Sequence, residues 1–86
     1  MAQKFLSGDL IFCRWRDAVS ENDWKDYDEA KGLRPHNVES IGWVVYADDN
    51  VLIIASMRDT QSKHCACFVA IPRDWAEDIK KIELGD

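Results

Sequence analysis

"VVYADDNVLIIASM", residues 44–57, decides the class of fold. Asp48-Asp49-Asn50 separates two apolar runs, and Asp and Asn tolerate the backbone angles of a tight reversal. The flanking residues are mostly β-branched or aromatic, which suits a pleated strand better than a helix. The stretch therefore reads as a hairpin joining strands over 38–47 and 51–57. A polar loop at 58–63 leads to a further strand over 64–71, and Pro72 ends that ladder because it has no amide to donate.

Upstream, residues 10–16 alternate, with Ile11, Cys13 and Trp15 on one face and Phe12, Arg14 and Arg16 on the other. In 38–47 the larger set, Ile41, Trp43 and Val45, alternates with Ser40, Gly42, Val44 and Tyr46 and is expected inside. The tail has two readings. Trp75, Ile79 and Ile82 fit a helical period, whereas 79–84 fits a closing strand after one turn of helix. The strand is favoured because it shields an exposed sheet edge.

The expected fold is thus mainly β: a small five-stranded SH3-like or Sm-like barrel, a single domain over 1–86. The alternative is α+β, a four-stranded antiparallel sheet with a C-terminal helix. Trp15, Ile41, Trp43, Val45, Ile53, Val69 and Ile71 are the expected core. A short helical insert is expected at about 21–31. Ser20 with Asp23 forms an acidic variant of the capping box, Asn22 is a rival cap, and Gly32 is the stop. Trp24, Tyr27 and Ala30 would be its buried stripe.

With 86 residues there is room for one core. The net charge of −5 is localised, since residues 17–29 carry six acids against Lys25 alone. The remainder is neutral, which argues against a nucleic-acid binder, because phosphate neutralisation needs a basic face. Every apolar run, 51–55 included, is far too short to span a membrane, and the first five residues lack a signal-peptide core. Cytosolic residence is the expectation.

No arrangement of residues fits a catalytic or metal site. Asp17, Ser20 and Asp23 lack the spacing, glycine and terminal glutamate of a calcium loop. His36 and His64 have no nucleophile motif beside them. Cys13, Cys65 and Cys67 are read as structural thiols, because His64 would face away from Cys65 and no second ligand pair exists. The protein is expected to be no enzyme and to need no cofactor and no metal.

"RWRDAVSENDW" (14–24), "VESIGWVVYADDN" (38–50) and "VAIPRDW" (69–75) followed by "IKKIEL" (79–84) together resemble a family of small bacteriophage-encoded proteins. The residues that carry the resemblance are Trp15, Asp17, Ala18, Ser20, Trp24, Ser40, Ile41, Gly42, Trp43, Ile71 and Pro72. The resemblance implies a phage origin, residence in the cytoplasm of the infected host and a compact β fold, but no particular activity. Size and acidity also resemble phage counter-defence factors.

Two binding modes follow. In the first, Arg14, Arg16, Arg58 and Arg73, with Trp24, hold an anionic small ligand such as a nucleotide immune signal. In the second, Asp23, Asp26, Asp28 and Glu29 meet a basic bacterial defence or host protein, so that the chain acts as an acidic inhibitor. A third class, a host-modulating or virion-assembly accessory, needs neither site. Strands 51–57 and 64–71 are apolar on both faces, which calls for a second cover and hence a homo-oligomer, with a dimer the first expectation.

Overall fold

The computed structural model describes residues 5–18 and 23–84. Five strands form one antiparallel sheet: β1 (Leu10–Asp17), β2 (His36–Ala47), β3 (Val51–Arg58), β4 (Cys65–Pro72) and β5 (Ala76–Lys81). Their order is β4-β3-β2-β1-β5, so β5 returns beside β1 after one turn of 3-10 helix at Arg73–Trp75. A strand after one helical turn is the correct reading of the tail, and the C-terminal helix is excluded. The strand lies at 76–81 rather than 79–84 and, as an edge, closes no barrel. The sheet is open, with β4 and β5 as its edges. Its radius of gyration is 16.1 Å, against about 12 Å for a compact domain of this length. The two edges are unlike. β5 carries Glu77, Asp78, Lys80 and Lys81, which discourage further pairing, whereas β4 has no charged residue.

One face of the sheet holds the core. Ile11, Cys13 and Trp15 of β1 meet Val44, Leu52, Ile54 and Ile71, and Phe5 covers one end. Trp15 is buried with its indole N–H donating to Ser40 Oγ at 3.1 Å. Burial also pushes the Cys13 thiol above its ordinary range, with Arg73 opposing the effect.

The expected core needs correction in β2. Trp15 and Ile71 are buried and Ile53 and Val69 half-buried, but Ile41 and Val45 are exposed and Trp43 only half-buried. The register explains the reversal. Ile11 lies opposite Gly42, and Phe12 opposite Ile41, so the inward positions of β2 are Val38, Ser40, Gly42 and Val44. A register shift between Val44 and Tyr46 then makes Val45 a bulge residue. Side-chain bulk had pointed to the wrong face.

The helical insert also needs correction. Among the described residues of the insert only Tyr27–Ala30 is helical, a single turn capped by Asp26, whose carboxylate accepts from the Glu29 amide at 2.7 Å. The expected caps Ser20 and Asn22 lie outside the described residues. Trp24 and Tyr27 are 102% and 89% exposed, so they are no buried stripe. These two side chains therefore do not cover the sheet.

The β2–β3 turn is as expected, and Asp48 organises it. Its Oδ1 accepts from the Asn50 and Val51 amides at 2.7 and 2.8 Å, and its Oδ2 from the Tyr46 hydroxyl at 2.8 Å. Arg73 closes the corner, donating through Nη1 to the Asp48 carbonyl and through its amide to Asn50. The two amides, then the hydroxyl, hold the Asp48 carboxyl below its ordinary range. Asp59, at the β3–β4 turn, is lowered chiefly by the Gln61 amide.

A carboxyl depressed by folding contributes stability above its unfolded pKa and loses it as pH falls through the folded value. Stability should therefore decline as pH drops below about 4, the ordinary Asp range. Asp48→Asn should be less stable at neutral pH and show a shallower acid decline. Urea melts between pH 2 and 6 check this; parallel acid limbs for wild type and variant would refute it.

Candidate functional site

The face opposite the core has the chemistry of a binding surface. One rung across the sheet reads Leu10–Trp43–Ala55–Phe68, and a second Tyr46–Ile53–Ala70. Ile41 and Phe68 are each 57% exposed, while Ala55 is buried beneath its aromatic neighbours on the rung. Phe12 sits beside Ile41 on the same face. A solvated sheet face normally carries polar residues at such positions. The two-faced apolar character read from β3 and β4 is therefore present, and Ile41, Tyr46 and Phe68 on the outer face stand exposed.

Two arginines border this face. The Arg58 guanidinium lies 4.4 Å from the Trp43 ring centroid, and that of Arg14 lies 5.8 Å from Phe12. Arg14 is also paired with Glu39 at 3.2 Å. Arg16 pairs with Glu77, and the groove beside it, about 340 Å³ in volume, is lined by Asp74 and Glu77 as well. Arg73 is committed to the β2–β3 turn. The four arginines expected to share a ligand thus do not converge, and Trp24 stands on the separate insert. Among the described residues, Arg58 alone of the four is held by neither a carboxylate nor a backbone carbonyl.

Arg58 is flanked by two shallow cavities of about 350 Å³ each, on the β3–β4 hairpin. Lys63 and His64 add cationic or ionisable groups there, with Met57 and Ala66 as apolar floor. Asp59 also lines both, but its carboxylate accepts from the Gln61 and Ser62 amides and is committed to the turn. Lys63, which lines one of the two cavities, adopts a positive φ of 63°, an unusual backbone for a residue other than glycine. Lys63 and His64 were missed in the sequence because a polar loop carries no periodic signal. Only the hairpin register shows that they fold back beside Arg58.

The acidic residues Asp23, Asp26, Asp28 and Glu29 are all exposed on the insert. Asp28 pairs with Lys31 at 3.2 Å. Cys13 is buried, Cys65 half-buried and Cys67 exposed, all as free thiols. Among the described residues no group of three or more His, Cys, Asp or Glu side chains could hold a metal ion, and no helix is long and apolar enough to cross a membrane. No protein-family model, curated protein or solved structure matches the chain.

Proposed function

We propose that the protein is a non-enzymatic phage accessory protein of the host cytoplasm, a counter-defence factor that binds an anionic, nucleotide-like ligand as a homo-oligomer. The observation that carries this reading is the Arg58–Trp43 stack, bordered by Lys63 and His64 at an open groove. An aromatic ring beside a carboxylate-free guanidinium offers a base a stacking partner and a phosphate a charge partner. A volume near 350 Å³ lies within the roughly 300–1,000 Å³ range of small-ligand sites. The strand order, with one 3-10 turn before β5, also fits the plan of an SH3-like meander left unclosed. The phage origin rests on the motif resemblance.

Thermal melting with adenine and guanine mono- and dinucleotides tests the ligand. A ligand at about 100 times its Kd should stabilise the folded state by about 2.7 kcal/mol. For a domain of this size that corresponds to a rise in Tm of roughly 10–20 °C. Arg58→Ala, at an exposed position, should remove the shift while leaving the unliganded melt nearly unchanged. No shift with any nucleotide, or an equal shift in the variant, would overturn the site.

A further inference from the structure

The outward hydrogen-bonding groups of the β4 edge can be located. In an antiparallel ladder one residue turns both its N–H and C=O to a neighbouring strand, and the next residue turns both away. Just after β4, the Arg73 amide donates to the Asn50 carbonyl at the start of β3. Counting back by alternation, Ile71 and Val69 face β3, whereas Ala70 and Phe68 direct their groups out of the sheet. At the other end the Asp59 amide donates to the His64 carbonyl, which sets the opposite phase. The phases change over at Cys67, which has a positive φ of 61° and where the register steps from Met57–Ala66 to Ala55–Phe68. Phe68 and Ala70 therefore each offer a donor and an acceptor to a strand laid alongside. Pro72, with no N–H, ends the run.

We propose that β4 of one copy pairs antiparallel with β4 of a second copy about a twofold axis at Val69, joining two sheets edge to edge. The proposal rests on the self-association in the reading above and names its contact. The partner is a second β4 because the edge is self-complementary. With the axis at Val69, Phe68 lies opposite Ala70 of the partner, and every outward donor and acceptor of the two residues is used. An axis at Phe68 or at Ala70 leaves some of them unpaired. The same register sets the large, 57% exposed Phe68 beside a small exposed residue and Val69 beside its own copy. On the outer face the rung Leu10–Trp43–Ala55–Phe68 then runs on into the partner's Ala70–Ile53–Tyr46. Pairing of β4 with β5 of another copy would propagate as an open filament, and the charges Glu77, Asp78, Lys80 and Lys81 oppose it. The contact takes the edge and leaves the outer face with its Trp43–Arg58 stack uncovered in both copies.

Hydrogen–deuterium exchange and sedimentation of the unliganded wild type, from about 1 to 500 µM, bracket the Kd of a small interface. A dimer should form in that range, and the Phe68 and Ala70 amides should slow about tenfold or more as it does, since paired edge amides are protected.

Cysteine cross-linking in a glutathione redox buffer reads the register, in a Cys65→Ser/Cys67→Ser parent whose remaining Cys13 is buried. Val69→Cys should form an intermolecular disulfide at least about tenfold faster than Phe68→Cys or Ala70→Cys alone, because directly opposed strand residues meet disulfide geometry. Phe68→Cys and Ala70→Cys should cross-link when mixed, as the mixed pair. Reduced variants that melt as the parent does exclude a folding defect. A wild-type dimer whose β4 amides do not slow, or Val69→Cys linking no faster than the other two, would overturn the edge contact and leave self-association intact. A wild-type monomer throughout the range would remove both. Since no nucleotide is present, failure of the ligand groove is read separately.

Discussion

Replacing Gly42 by alanine is expected to destabilise the protein by about 3 kcal/mol, the upper part of the range for overpacked cores. Valine at the same position should prevent folding. Gly42 is buried on the core face of β2, where β3 crosses unusually close. A Cβ there would lie 2.8 Å from the Ala55 carbonyl oxygen, 3.1 Å from its carbon and 3.2 Å from Ile54 Cβ. The first two atoms are backbone and cannot rotate away, so relief requires β2 and β3 to separate. Separation breaks the ladder beside the register shift at Val44–Tyr46, where it is already irregular. A domain this small has a total stability of only about 4–13 kcal/mol, so the alanine variant loses a large share of it. Urea denaturation gives the number. A midpoint within error of wild type would mean that the strands lie further apart than described.

Much of the sheet was legible from local pattern, and the places where reading failed have physical causes. The Asp48 turn, the alternation of β1 and the stop at Pro72 are decided by neighbours in sequence. The 3-10 turn at Arg73–Trp75 follows from Pro72, and β5 from the need to cover β1. The buried face of β2 was not legible, because it depends on how closely β3 approaches at Gly42, a long-range fact. Small residues mark that approach, and bulk alone reads them as solvent-facing. The insert failed for the opposite reason. Its spacing of Trp24, Tyr27 and Ala30 fits an amphipathic helix, yet Trp24 and Tyr27 stand in solvent and the helical turn buries no residue. At the candidate site, Arg58 was among the expected residues, while its partners Lys63 and His64 depend on hairpin closure. Arg14 and Arg16 are drawn off by Glu39 and Glu77, which adjoin them only across strands. Pairing of that kind cannot be read from a linear run of charges.

The two tryptophans of neighbouring strands should separate sharply on truncation. Trp15→Ala is expected to cost about 3–5 kcal/mol, the range for a buried aromatic whose removal leaves a cavity. Trp15 belongs to the core cluster, and its loss also strands Ser40 Oγ, which now accepts the indole N–H. Trp43→Ala should cost far less, about 1–2 kcal/mol, since its ring is half-exposed and little of the site must collapse. Its contact with Arg58 adds only about 0.5–1 kcal/mol, as cation–π pairs in solvent do. Size and strand position would rank the two alike, so the difference isolates the face that each occupies. Denaturant melts of the two variants, run below the concentration at which the chain self-associates, check the inequality. Equal losses would place Trp43 in the core, return Ile41 and Val45 to the interior with it, and leave the outer face without its aromatic rung.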